Sequence, residues 1–371
     1  MRRLQLATSI PLALCALWVI ISEFRLPPES QIFRVPPVDL LVYKLAAISL
    51  NSEGNLYDGD FVPGLPFTYP PFAGVVFRPL PLFADLPLTI AWQLLNFAAM
   101  FLVVWLIYRA SLPAFLLSIA AIGLDAVHGG FYFGQINLLL MLLVALDFLP
   151  KNRRFAGIGV GLAAGLKLTP AFFVLIFIIE RRWRAAAVSA VTFIATVVIG
   201  WLSVPDATRF WTSAITDSSR VGVHDNPGAQ SLRSVMERVL GMEQWWLVAV
   251  AVTLVLVVLG IAMAVRSNDM AWAMVIAGIG ACLVSPFTWF HHWVWMVPLA
   301  AVLTRGFHRR PFAQVACVIG TVVLLLPHLS AAVSPYTVSS LSAEDVWFIA
   351  VGYVAIVGYI IVAGIRRLRA S

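Results

Sequence analysis

Six short stretches carry residues whose types and spacing suit chemistry. Val38-Asp39-Leu40-Leu41-Val42-Tyr43 follows Pro36-Pro37. Asp39 reads either as the N-cap of a helix running to about Leu50 or as a general base able to take a proton from a hydroxyl. In Leu65-Pro66-Phe67-Thr68-Tyr69-Pro70-Pro71-Phe72 the proline pair forbids a regular helix and holds the backbone extended. Tyr69 and Phe72 are then interface anchors or a rigid wall flanking a sugar or lipid. Gln135 and Asn137, in Phe133-Gly134-Gln135-Ile136-Asn137, are interfacial caps or the donors and acceptors of a site for hydroxyl-rich ligands.

Lys167, in Gly165-Leu166-Lys167-Leu168-Thr169-Pro170, is the one basic residue inside a long apolar region. It either snorkels or serves as a point charge for phosphate. Arg220 and Arg233 sit in a polar stretch with Asp217, His224, Asp225 and Gln230, as solvated loop residues or phosphate forks. In Ser285-Pro286-Phe287-Thr288-Trp289-Phe290-His291-His292-Trp293 the adjacent histidines are expected on different sides of a helix. That disfavours a shared metal and leaves each free to donate to a phosphate or a sugar hydroxyl. The tryptophans, Trp289 among them, are interface anchors or stacking platforms for a sugar.

What positions these residues is set by composition. Of the 371 residues 61% are apolar and 12% charged, against about 45–50% and about 25% in soluble domains. The mean hydropathy is +0.92. So little charge cannot cover a soluble surface, and the chain reads as an all-α polytopic membrane protein. Apolar runs predict about twelve transmembrane helices, near 5–24, 86–108, 111–127, 134–149, 155–168, 170–180, 184–204, 245–265, 271–289, 291–304, 312–329 and 345–365. The fifth and sixth meet at Pro170 as half-helices or a bent hairpin. The first, after Met1-Arg2-Arg3, lacks a signal-peptide cleavage site and is expected to span.

With the N-terminus inside, 16 of the 25 Lys and Arg fall in short inner loops, and 15 of the 18 acids lie at the outer side. This fits the positive-inside rule and returns the C-terminus to the cytoplasm. The net charge of +7 is thereby topological, and no nucleic-acid partner is expected. The long polar segments, about 25–85, 205–243 and 330–344, all fall outside, and the six stretches converge on that face. Cys15, Cys282 and Cys317 have neither disulfide nor zinc spacing. No P-loop, GxGxxG, CxxC or HExxH occurs, so nothing supports nucleotide-driven chemistry. A transporter with broken helices at mid-membrane is the rival of another class, but the polar anomalies gather at one face, as an enzyme requires.

Taken together, VDLLVY (38–43), LPFTYPPFAGVVFRPL (65–80), FGQINLLLM (133–141), GLAAGLKLTPA (161–171), DSSRVG (217–222) and SPFTWFHHWVWMVPL (285–299) resemble glycosyltransferase family 87. These are polyprenyl-phosphate-mannose-dependent mannosyltransferases. The resemblance implies a single GT-C membrane domain over 1–371, with a catalytic Asp in the first outer loop, at Asp39. It implies a plasma-membrane enzyme using a polyprenyl-phosphate-β-mannose donor and a glycolipid acceptor of the phosphatidylinositol mannoside or lipomannan type, with inversion to an α-mannoside, α-1,2 being expected. Arabinose transfer from a polyprenyl phosphate by a sister enzyme of the same fold is the nearest alternative. In that frame Lys167, His292, Arg220, Tyr69 and Gln135 are expected at the donor phosphate. His291, Asn137, Trp289 and Arg233 are expected at the sugars or acceptor. No metal or cofactor is called for, the partners are membrane lipids, a monomer is expected, and a lateral groove near 65–85 is expected to admit the polyprenyl chain.

Overall fold

A computed structural model describes residues 2–26, 31–305 and 346–369. The expected span at 312–329, the outer segment at 330–344 and Cys317 lie outside the described residues. In chain order the elements are α1 (Arg2–Arg25), α2 (Val38–Asn51), β1 (Asp60–Val62), β2 (Leu65–Pro66), α3 (Pro71–Phe77), α4 (Asp85–Tyr108), α5 (Ser111–Ala121), α6 (Asp125–Phe133), α7 (Asn137–Phe148), α8 (Ile158–Leu166) and α9 (Val174–Ile179). There follow α10 (Trp183–Ser203), the short turns α11 (Ala207–Arg209) and α12 (Leu232–Val235), α13 (Trp246–Arg266), α14 (Met270–Val284), α15 (Met296–Thr304) and α16 (Trp347–Leu368). The β1–β2 pair is a small antiparallel hairpin, and the described residues are otherwise helical or irregular.

The runs at 86–108, 184–204, 245–265 and 345–365 become α4, α10, α13 and α16, the four described helices long and apolar enough to cross a membrane. A fifth is reached if α5 and α6, bent by 76°, are one broken span. This is fewer than the twelve runs in the sequence. Hydropathy measures apolar length but not direction, and several runs fold as short or broken pieces. Thus α7 has 12 residues and α8 nine, and the 170–180 run is a 3-10 turn followed by a six-residue helix. The chain breaks at Lys167 and Leu168, just before Pro170, where half-helices or a bent hairpin were expected. In a bilayer, such breaks need protein or a cavity around them, because exposed backbone groups there are costly.

Close helix approach fixes the position of Lys167. Gly161 and Gly165 on α8 face Thr192 and Thr196 of α10. A Cβ at Gly161 would lie 2.5 Å from Thr192 Cβ, and one at Gly165 2.2 Å from Thr196 Oγ1. Only glycine permits this approach, the small-residue packing common to membrane helices. The N-terminal end of α8 is pinned by Asp147, whose carboxylate accepts from the Val160 N–H over 2.8 Å and the Gly159 N–H over 3.3 Å. Nearby, Arg153 grips Glu180 with two bonds of 2.6 and 2.8 Å. With one end and one face held, the C-terminal end of α8 presents Lys167 in an extended conformation.

Candidate active site

The segments before and after α6 set the site's centre. Gly134 ends α6 with φ +72°, and a Cβ there would lie 2.7 Å from Pro37 Cβ and 2.9 Å from Leu40 Cβ. Glycine alone adopts this turn without strain and lets the chain lie against the start of α2. Trp92 Nε1 donates to the Gly134 carbonyl over 2.9 Å, which fixes the turn. Gln135 thereby reaches Asp39, and its Nε2 donates to Asp39 Oδ2.

Asp39 is not the N-cap that the sequence suggested. Pro37 holds that position, and Asp39 lies inside the first turn of α2 with no side-chain cap bond there. Its carboxylate is turned instead toward Gln135 and a cavity. Half-buried beside that cavity, Asp39 is pushed up to about 6 by burial. The Gln135 bond and the positive charge of Lys167 act against that rise. Such a value leaves a carboxylate ionised at neutral pH and still basic enough to accept a proton.

Gln135 Oε1 accepts from Tyr69 Oη over 3.0 Å and from Asn137 Nδ2 over 3.3 Å. Asn137 also donates to the His291 carbonyl over 3.1 Å, and its Oδ1 accepts from Lys167 Nζ over 3.0 Å. Lys167 Nζ makes a second contact of 2.9 Å with His292 Nε2, and lies 5.4 Å from the centre of the Tyr69 ring. One polar network therefore runs from the carboxylate of Asp39 to the ammonium of Lys167. It is built by the start of α2, the segment before α3, the turn into α7, the residue after α8 and the turn before α15.

The network faces a cavity of about 420 Å³. Asp39, Tyr69, Gln135, Lys167, Arg220, Trp289, His291 and His292 all line it, as do Gly64–Pro66 and Thr68 from the stretch expected to flank the lipid. That volume is of the size that small-molecule sites use. Burial is deep: His291 is 5% exposed, and both its ring nitrogens lack a hydrogen-bond partner. Nε and Nη2 of Arg220 likewise have none. Buried polar groups are normally paired, so unpaired donors around a cavity are suited to a polar ligand.

Several of the expected residues are placed differently from the sequence reading. The two histidines do not point to opposite sides. They sit in a 3-10 turn, Phe290–His292, with ring centres 4.9 Å apart, and both face the cavity. Asn137 lines a small adjoining pocket with His292 rather than the main cavity, and bonds to Gln135, Lys167 and the His291 carbonyl. Arg233 also lies off the cavity wall, donating to Glu243 over 2.7 Å with its guanidinium over the Trp246 ring.

The role of His292 also changes. Lys167 Nζ lies 2.9 Å from Nε2 and the Trp289 N–H donates to Nδ1 over 3.3 Å, so both ring nitrogens are already engaged within the protein. His292 therefore orients the lysine, and its Nε2 is not free to donate to a phosphate. Trp289 lines the cavity, yet its Nε1 is already committed to the Val221 carbonyl over 2.9 Å. This bond, with Gln230 N–H to the Thr288 carbonyl over 2.6 Å and Phe290 N–H to the Gly228 carbonyl over 2.8 Å, straps the 218–230 loop onto the 288–290 segment.

Tyr43, which the sequence reading did not single out, also lines the cavity one helical turn after Asp39, with its Oη 2.7 Å from Tyr69 Oη. The four-residue spacing from Asp39 was the available signal. Among the described residues no group of three or more His, Cys, Asp or Glu could hold a metal ion.

The model of glycosyltransferase family 87 matches residues 67–286. A polyprenol-phosphate-mannose-dependent α-(1-2)-phosphatidylinositol pentamannoside mannosyltransferase of Mycobacterium tuberculosis is 38% identical over 297 residues, 75% of this chain and 69% of the relative. The protein of that name from Mycolicibacterium smegmatis is 36% identical over 72% of this chain and 70% of its own length. A polyprenol-phosphate-mannose-dependent α-(1-2)-phosphatidylinositol mannoside mannosyltransferase of M. tuberculosis is 28% identical over 84% of this chain and 81% of its own. No solved structure matches the chain. With the family model covering more than half of its length and relatives this similar, the chain belongs to glycosyltransferase family 87.

Proposed function

We propose that this chain moves mannose from polyprenol-phosphate mannose to a phosphatidylinositol mannoside acceptor, forming an α-1,2 linkage with inversion. The donor and acceptor classes rest on the names of the relatives. The single observation that carries the mechanism is that the Asp39 carboxylate and the Lys167 ammonium face one cavity and are joined through Gln135 and Asn137.

In the reaction, an acceptor hydroxyl oxygen attacks the anomeric carbon from the side opposite the phosphate. Asp39 takes the hydroxyl proton as the new C–O bond forms. The bond from the anomeric carbon to the phosphate oxygen breaks, and its electron pair leaves with the polyprenyl phosphate. Negative charge gathers on that phosphate, and fixed cations lower the barrier because they need no reorganisation. Lys167, aimed by His292 and Asn137, is the principal cation, and Arg220 is the second. His291, with both ring nitrogens unpaired at the cavity wall, meets sugar hydroxyls. Tyr69 and Gln135 act on the base and the lysine rather than on the phosphate directly.

The charge distribution supports a multi-pass plasma-membrane protein with both ends cytoplasmic and the cavity on the extracytoplasmic side. There the polyprenyl chain stays in lipid while its phosphate rests at the interface, entering beside the 64–70 stretch. A monomer is part of this reading, and it requires only that one chain hold the groups named above.

The test is transfer of labelled mannose from polyprenyl-phosphate mannose to phosphatidylinositol mannosides by purified protein in detergent, with Asp39→Asn alongside. Transfer that vanishes in Asp39→Asn while donor still binds supports the reading. Activity only with polyprenyl-phosphate arabinose transfers the mechanism to the other sugar, and silence with both donors removes it.

A further inference from the structure

We propose that Tyr43 is a positioning residue for the transfer: its hydroxyl feeds a one-way chain of hydrogen bonds that aims the Gln135 amide at one oxygen of Asp39 and leaves the other for the acceptor. This rests on the reading of Asp39 as the base.

The direction of the chain follows from proton counting. Tyr43 Oη lies 2.7 Å from Tyr69 Oη, and Tyr69 donates its only proton to Gln135 Oε1 over 3.0 Å. Tyr43 must therefore be the donor between the two hydroxyls. Gln135 Oε1, accepting from both Tyr69 and Asn137, has its acceptor positions used, so the amide nitrogen faces Asp39 and donates to Oδ2. Oδ1 enters no hydrogen bond among the described residues and remains for an incoming hydroxyl. Every link donates toward the carboxylate, and aligned links polarise one another.

Packing makes the chain rigid and the test clean. Tyr43 is 1% exposed, stacks on Phe77 with ring centres 4.5 Å apart, and meets Tyr69 edge-on at 5.2 Å. Phenylalanine keeps that shape and deletes only the hydroxyl. Around Asp39 the charged or titratable groups are Lys167 from the turn after α8, Tyr69 from the segment before α3 and Tyr43 on its own helix. His291, His292 and Arg220 complete the cavity wall.

The experiment compares wild type, Tyr43→Phe, Tyr69→Phe and the double variant in the mannose-transfer assay across pH, with thermal midpoints recorded. Tyr43→Phe is expected to lower kcat about two- to tenfold, the worth of one neutral hydrogen bond, with donor KM within about twofold. The acid limb of kcat/KM moves to higher pH, because a less stabilised carboxylate holds its proton more tightly. Serial links predict that the double variant matches Tyr69→Phe; independent packing roles would make the two losses multiply, and that overturns the proposal. A second readout needs no substrate. The midpoint for the Asp39 carboxyl, from infrared spectra of each protein minus its Asp39→Asn counterpart, is expected to rise in Tyr43→Phe. An unmoved midpoint overturns the chain whatever the transfer assay gives, whereas a raised midpoint without mannose transfer keeps the chain and removes the functional reading.

Discussion

Lys167 Nζ and His292 Nε2 stand 2.9 Å apart, and the ammonium is held a second time by Asn137 Oδ1 at 3.0 Å. Neither partner is anionic. The cation is thus oriented by two neutral acceptors without having its charge cancelled, which leaves it available to an incoming phosphate. An acidic partner in either place would compete with the ligand.

Replacing Lys167 by Met is expected to lower kcat about 10²- to 10³-fold, the usual loss for one fixed stabilising group at developing charge. His292→Ala is expected to lose less. His292→Gln, which keeps an acceptor near Nζ, is expected to recover part of that loss. Steady-state kinetics on the three variants check the order.

Asp39→Asn is expected to abolish transfer while donor binding persists. In the wild type, kcat/KM is expected to fall as the pH drops below about 6, where Asp39 becomes protonated. A pH–rate profile in detergent checks both statements, and a limb near pH 4 would remove Asp39 as the titrating group.

The same variant is expected to melt higher. The folded Asp39 binds its proton more tightly than the unfolded chain does, the value rising from 3.8 to about 6. Between those values the native state holds more protons, so stability falls as the pH rises through that window. Above pH 6 the buried charge is a standing cost, which asparagine removes. Each unit is worth about 1.4 kcal/mol, reduced by the open cavity, so a gain of about 1 kcal/mol at pH 7 is expected in thermal melts.

Gly134→Ala is expected to damage both folding and turnover. The left-handed backbone costs an L-residue about 1–2 kcal/mol, and the new methyl would press on Pro37 and Leu40. Melting and transfer assays together check this. Loss of activity beyond the loss of folded protein would report Gln135 drawn away from Asp39.

Arg220→Ala and Arg233→Ala separate two arginines that looked alike in sequence. The first lines the cavity with unpaired nitrogens, and about a tenfold or greater loss of kcat/KM is expected. The second lies off the cavity wall, with Nη2 on Glu243 and its guanidinium over Trp246, and a change below about threefold is expected. Equal effects in the kinetic assay would contradict the placement.

Much of this molecule was legible in its residues. The apolar content required a membrane body, and the runs that became α4, α10, α13 and α16 have the period and length that lipid demands. Asp39, Tyr69, Gln135, Lys167, Arg220, Trp289, His291 and His292 stood out because polar groups beside apolar runs need a reason, and the structure gathers all eight around one cavity. Direction and partnership were not legible. Runs of similar hydropathy folded as a long helix, a nine-residue helix or a pair bent by 76°, because Gly, Pro and neighbouring helices decide where an apolar segment turns. Which arginine faces the cavity depends on Glu243 and Trp246 being near Arg233. Which histidine is free depends on the 3-10 turn and on Lys167 reaching His292 from across 125 positions of sequence. Residue types and spacing limit what a side chain can do; only packing between distant segments decides what it touches.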